Sequence, residues 1–141
     1  MTNFTSRVLT TAVATFGLTF GAAAFAAEKP TVLLVHGAFA ESSSWNGVVA
    51  ELQQQGYPVV AVANPLRSVK TDAAYLSDIV AQTQGPVLLV GHSYGGSVIS
   101  NVTADTSKIK ALVYVAAFAP EQGENIAELS GRYPGGTLGP A

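Results

Sequence analysis

The stretch that decides the fold is residues 87–96, Val-Leu-Leu-Val-Gly-His-Ser-Tyr-Gly-Gly. Four apolar residues end at Gly91, and the residues that follow Gly96 are compatible with a helix. Ser93 stands two residues from a glycine on either side, in a Gly-x-Ser-x-Gly pentapeptide. This pattern predicts a buried strand, a sharp turn and a helix, with a strained Ser93 whose hydroxyl is exposed above the end of the strand. The flanking residues must be small because a Cβ there would collide with the neighbouring strand and helix.

A second apolar run, Thr31–Val35, ends in the loop His36-Gly37-Ala38-Phe39. A serine that attacks a carbonyl carbon needs two N–H donors aimed at the oxyanion that forms. One donor is predicted to be the backbone N–H of Tyr94, directly after the serine. The other is predicted to be the N–H of Ala38, which a turn at Gly37 would expose. The two stretches together predict a site for acyl chemistry.

Four continuous apolar runs are predicted to be buried parallel strands, because strands covered on both faces need not alternate. Their predicted bounds are Thr31–Val35, Val59–Ala63, Val87–Val90 and Ala111–Val115. Helical patterns lie between them, with N-caps predicted within Ser42–Ser44 and at Asp72, and with the third helix starting at the Ser93 turn. The predicted fold is α/β, a doubly wound parallel sheet with strand order second, first, third, fourth. This order brings the loop after the first strand and Ser93 to one carboxyl edge.

The His-Gly-Ala-Phe loop and the Gly-His-Ser-Tyr-Gly-Gly turn resemble those of the α/β-hydrolase superfamily, most closely its small single-domain esterase-like members. The resemblance extends from about Thr31 to about Glu124. It implies a serine hydrolase that acts on a small-molecule ester or related acyl substrate through Ser93, with Ala38 and Tyr94 as the oxyanion hole and with no cofactor or metal. Phe39 is the candidate substrate-binding residue, and the alternative for this aromatic side chain is core packing.

The general base is missing from the predicted site. In the superfamily the nucleophile is followed by Asp or Glu and then by His, but both histidines of this sequence, His36 and His92, precede Ser93. The resemblance implies that His36 fixes the oxyanion loop, with a makeshift base as the alternative, and His92 is expected to pack beside the turn. Without a histidine to orient, the downstream acids Glu121 and Glu124 are expected to be solvated surface.

Family members are considerably longer than this chain. Residues 28–141 are therefore expected to be the N-terminal portion of an α/β-hydrolase domain, apparently truncated after the fourth strand and weak or inactive as this fragment. The alternative is a non-catalytic remnant or small-molecule-binding module on the same fold. Lyase or haloperoxidase chemistry at the same turn stays open. A dinucleotide-binding protein is excluded because the Gly-x-Gly-x-x-Gly spacing is absent.

Residues 1–27 are predicted to be a signal peptide. Arg7 is their only charge, an apolar stretch runs from Val8 to Phe25, and Ala24-Phe25-Ala26-Ala27 offers small residues for cleavage after Ala26 or Ala27. The mature protein is expected to be periplasmic or secreted, without stable membrane insertion, and the alternative is an uncleaved anchor. A net charge of −2 and 11% charged residues leave no basic patch for nucleic acid. The sequence does not indicate an oligomeric state.

Overall fold

A computed structural model of the chain describes residues 28–121, 123–132 and 134–135, so the predicted signal peptide lies outside the described residues. The fold is one parallel four-stranded sheet flanked by helices. Its strands are β1 (Thr31–Val35), β2 (Val59–Val62), β3 (Val87–His92) and β4 (Ile109–Val115). They lie in the order β2-β1-β3-β4 and all pairs are parallel, which confirms the predicted α/β fold and strand order.

The predicted helices lie between the strands, a further short helix follows β4, and both predicted N-caps differ from the observed ones. The helices are a short 3-10 helix (Ser42–Trp45), α1 (Asn46–Gln54), α2 (Val69–Gln82), α3 (Tyr94–Ser100) and α4 (Ile126–Gly131). The predicted cap of α2 at Asp72 is wrong, because the Ser68 Oγ accepts from the Thr71 N–H at 3.2 Å and Asp72 is already the fourth residue of the helix. The cap predicted within Ser42–Ser44 is wrong as well, because these residues belong to the 3-10 helix and α1 begins after Trp45 without a side-chain cap. Among the described helices, none is long and apolar enough to cross a membrane.

Both faces of the sheet are covered, which explains why β1 is apolar throughout. Leu33 and Val35 pack with α2 and α3 in one core cluster. Val32 and Leu34 point to the opposite face and pack with Trp45 in a second cluster, which α1 borders. Because side chains alternate between the faces of a strand, a strand buried on both sides needs apolar residues at every position.

The strand β4 lies at the edge of the sheet and pairs only with β3 among the described residues. Its side chains Leu112, Val113, Tyr114 and Val115 are each more than one third exposed. An edge strand presents unpaired backbone N–H and C=O groups, and this one also presents apolar side chains on both faces. The sequence predicted this open edge, since the fourth apolar run has no later partner among the predicted strands.

Candidate active site

Ser93 occupies the turn between β3 and α3 in a strained conformation. Its φ of 51° and ψ of −120° lie in a region that non-glycine residues rarely adopt, at a cost of about 1–3 kcal/mol. Two hydrogen bonds hold the turn: the Ser93 N–H donates to the Val115 carbonyl at 3.3 Å, and the Gly96 N–H donates to the Ser93 carbonyl at 3.0 Å. The strand, sharp turn and helix predicted from the pentapeptide are therefore present.

The two glycines of the pentapeptide allow the turn to close. A Cβ on Gly91 would lie 2.6 Å from the backbone C and O of Gly95. A Cβ on Gly95 would overlap the carbonyl oxygen of Val35 in β1. In both cases the obstacle is backbone, which cannot rotate out of the way as a side chain can. The close approach of α3 to β1 and β3 thus depends on glycine at these positions.

The loop after β1 lies against Ser93, as the strand order requires. A Cβ on Gly37 would lie 3.0 Å from the Ser93 Cβ. Tyr94 is the first residue of α3, so its N–H has no acceptor within the helix. In the described part of the chain, the backbone hydrogen bonds outside the regular elements include none donated by the Ala38 or Tyr94 N–H. The structure brings these two free donors and Ser93 to the same carboxyl edge of the sheet.

Phe39 follows on the same loop and is fully exposed. It is not part of the core, and no other described side chain covers it. A cavity of about 710 Å³ lies elsewhere, between α2, α3 and residues 123–126, and Ser93, Ala38 and Phe39 are not among its lining residues. This cavity is therefore separate from the residues predicted to form the acyl site.

His36 is buried and both of its ring nitrogens have partners. Its Nδ1 lies 2.9 Å from the Gly37 carbonyl, to which it donates, while its Nε2 accepts from the Asn64 N–H at 3.1 Å. The ring therefore joins the end of β1 to the loop after β2. A histidine with both nitrogens engaged has no free lone pair for the hydroxyl of Ser93, so the geometry favours the structural role over the makeshift base.

The other predicted residues make contacts of their own. His92 makes an edge-to-face contact with Trp45, with ring centroids 6.4 Å apart. Glu121 is exposed, and the carboxylate of Glu124 lies 3.3 Å from the Arg132 guanidinium. These contacts agree with packing for the histidine and with surface positions for the acids.

Sequence reasoning missed the contact between Tyr94 and Asp72. The Tyr94 hydroxyl donates to the Asp72 Oδ2 at 2.8 Å, and Asp72 is fully buried. Partial burial of the phenol, its hydrogen bond to the carboxylate and the negative charge there raise the pKa of Tyr94 well above its usual value. One signal could have revealed the contact: Asp72 shares a helical face with the buried residues Leu76 and Val80, which places it inward.

Stability at alkaline pH is expected to depend on Tyr94. Because its pKa is raised in the folded state, the stabilisation is complete below the unfolded value of about 10 and is lost as the pH rises from there towards the folded value. Tyr94→Phe is therefore expected to flatten the decline in unfolding free energy above about pH 10, measured by urea titration at a series of pH values. The control Tyr75→Phe removes an exposed phenol from α2 and should keep the parent slope. Identical slopes for Tyr94→Phe and the parent would contradict this prediction.

The chain has a parallel sheet, and a strained serine lies between a buried strand and a helix, beside a loop with free N–H groups. This arrangement defines the class of α/β proteins with a nucleophile elbow. The family model described as "Alpha/beta hydrolase family" matches residues 32–140. The chain belongs to this family, as its motifs predicted.

Individual relatives agree with the family. The chain is similar to the carbendazim hydrolyzing esterase of Nocardioides sp. (strain SG-4G), at 34% identity over 69% of this chain and 46% of the esterase. It is also similar to the pyrethroid hydrolase of Sphingobium wenxiniae, at 30% identity over 61% of this chain and 35% of that hydrolase. The chain thus spans about half or less of the length of these relatives.

Solved structures show the same correspondence. An extracellular alpha/beta-hydrolase from a Paenibacillus species superposes with a TM-score of 0.61 at 28% identity, over 70% of this chain and 45% of that one. A pyrethroid hydrolase from Sphingobium faniae JZ-2 superposes with a TM-score of 0.57 at 27% identity, over 64% of this chain and 40% of that one. The described sheet and helices therefore correspond to part of a larger α/β-hydrolase domain in these proteins.

Proposed function

We propose that this chain carries the nucleophile half of a serine esterase, with Ser93 as the nucleophile and the N–H groups of Ala38 and Tyr94 as the oxyanion hole. The substrate is a small-molecule ester or related acyl compound, for which Phe39 offers an exposed apolar contact. With the predicted signal peptide, we expect this reaction to take place in the periplasm or outside the cell. Relatives described as an esterase and as a pyrethroid hydrolase support the reaction class.

The strained backbone of Ser93 is the single observation that carries the proposal. A left-handed φ at a non-glycine residue costs free energy, and such strain is concentrated at functional sites. Here the strained residue is a serine that lies against Gly37, the residue before Ala38 in the loop after β1. A merely structural turn at this position would be more stable with glycine in place of Ser93.

We expect the chain itself to lack a base for this nucleophile. His36 is engaged at both nitrogens, and no histidine follows Ser93 in the sequence. A serine hydroxyl without a base is a weak nucleophile, so turnover of esters by this chain alone is expected to be weak or absent. The acylation step should nevertheless respond to a base supplied from solution.

The test uses imidazole as that external base and p-nitrophenyl acetate as the ester. The Ser93 Oγ adds to the ester carbonyl, imidazole takes the hydroxyl proton, and p-nitrophenolate leaves, so that Ser93 carries an acetyl group. We expect peptide mass spectrometry to show that Ser93 is acetylated about 100-fold faster than Ser107, an exposed serine of the same chain. Ser93→Ala should remove this fast phase and leave acetylation of the remaining hydroxyl and amino groups unchanged.

Equal acetylation of Ser93 and Ser107 would contradict the proposal. It would favour the alternative function, a non-catalytic binding module that keeps the elbow without its reactivity. Fast acetylation without imidazole would show that the chain contains its own base. It would contradict the expectation that the site lacks one.

A further inference from the structure

We propose that Asp72 is a positioning residue for the nucleophile elbow, acting through the hydroxyl of Tyr94. The inference rests on the proposed role of Ser93. It adds a residue of α2 to the residues that hold that site in place. Asp72 does not touch the substrate. It fixes the first turn of α3, from which the Tyr94 N–H points toward the oxyanion.

The Asp72 carboxylate is held entirely by neutral donors. Its Oδ2 accepts from the Tyr94 hydroxyl at 2.8 Å, and its Oδ1 accepts from the Arg67 N–H at 3.1 Å. The Thr71 hydroxyl lies 3.4 Å from Oδ1 but shares its single proton with the Ser68 carbonyl at 3.1 Å. The residue is fully buried. A buried carboxylate loses its hydration, so a site that keeps one must supply several well-placed hydrogen bonds. The position in the first turn of α2 adds the favourable field of a helix N-terminus.

The same carboxylate connects two strained segments at the carboxyl edge of the sheet. Leu66, in the loop after β2, has a φ of 56°, and Ser93, in the elbow, has a φ of 51°. Arg67 directly follows the first, and Tyr94 directly follows the second. A strained backbone conformation persists only where several surrounding interactions hold it in place. Asp72 supplies that constraint to both segments, because each of its oxygens bonds to the residue after a strained one.

The nature of the contact separates positioning from simple core filling. Tyr94→Phe separates the two roles most cleanly, because it removes the hydrogen bond to Asp72 without adding volume to the core. Asp72→Leu also adds volume, since Leu is larger than Asp, and Leu can neither accept from the Arg67 N–H nor bond to the Tyr94 hydroxyl. Asn can do both in one orientation, with its oxygen toward Arg67 and its amide donating to the phenol oxygen.

The experiment compares Asp72→Leu, Asp72→Asn and Tyr94→Phe with the parent chain. The control is Tyr75→Phe, which alters an exposed phenol of α2, the helix that also holds Asp72. Imidazole-supported acetylation of Ser93 is measured against ester concentration. We expect the saturating rate to fall about 10- to 100-fold in Asp72→Leu and Tyr94→Phe, with the half-saturating concentration unchanged. Asp72→Asn should restore most of that rate, and Tyr75→Phe should match the parent.

Amide hydrogen exchange provides the second measurement. In Asp72→Leu and Tyr94→Phe, exchange should accelerate about tenfold or more in residues 93–97 while β1 and β3 stay protected. Tyr94→Phe keeps the backbone N–H and the ring, so it tests the proposal even where Asp72→Leu fails to fold. Parent-like acetylation by folded Asp72→Leu, or by Tyr94→Phe, would overturn the positioning role, as would acceleration spread evenly over the chain.

Failure of the underlying function would look different. In that case Ser93 would be no more reactive than Ser107 in the parent chain itself. The exchange pattern would then decide by itself whether Asp72 holds the elbow: local acceleration would support that constraint, and an unchanged pattern would overturn it.

Discussion

Replacing Gly95 by alanine is expected to lower the free energy of unfolding by about 3 kcal/mol or more. The new Cβ would overlap the Val35 carbonyl oxygen in β1, one of the central strands of the sheet. Relief would require α3 to move away from the sheet, which would expose the buried side chains of Val98 and Ile99. Since domains are stable by only about 5–15 kcal/mol, much of the population should unfold at moderate urea concentrations.

Urea denaturation followed by circular dichroism measures this effect. The matched control is Gly47→Ala in α1, where an added Cβ meets nothing within 4 Å. Alanine forms helices more readily than glycine. This control should therefore leave the unfolding free energy unchanged or raise it by less than about 1 kcal/mol. A Gly95→Ala chain that unfolds at the parent's urea midpoint would show that α3 does not approach β1 as closely as described.

His36→Ala is expected to lower the free energy of unfolding by about 2–4 kcal/mol without removing the reactivity of Ser93. The change leaves a cavity where a buried ring had been, and it leaves the Asn64 N–H and the Gly37 carbonyl without their ring partners. Imidazole-supported acetylation of Ser93 should persist in the folded fraction, because both ring nitrogens are already engaged in other hydrogen bonds.

The second histidine provides the comparison. His92 is half-buried and its described ring contact is the edge-to-face packing on Trp45, so His92→Ala should cost only about 1 kcal/mol. If the parent chain turned over esters without imidazole and His36→Ala abolished that turnover, His36 would be the base and its structural assignment would be wrong.

The fold could be predicted from the sequence because its signals are local. Each strand is a continuous apolar run, and the pentapeptide around Ser93 identifies a turn that few other sequences can form. Parallel strands joined by helices allow few topologies, so the order β2-β1-β3-β4 also followed. Strand ends were less certain: β3 extends to His92 and β4 begins at Ile109, because pairing with neighbouring strands, not composition, sets where a strand stops.

The sequence by itself determined the four strands, the elbow at Ser93 and the loop that faces it. Only the tertiary structure decided the roles of Asp72 and His36. Asp72 was predicted to be a helix cap, yet its carboxylate accepts a hydrogen bond from the Tyr94 hydroxyl, 22 residues away. His36 accepts a hydrogen bond from the Asn64 N–H, 28 residues away. A pattern within a segment reports which face of that segment is apolar, but a hydrogen bond between segments depends on how two elements pack. Such packing is fixed by the whole core, and no short stretch of sequence contains it.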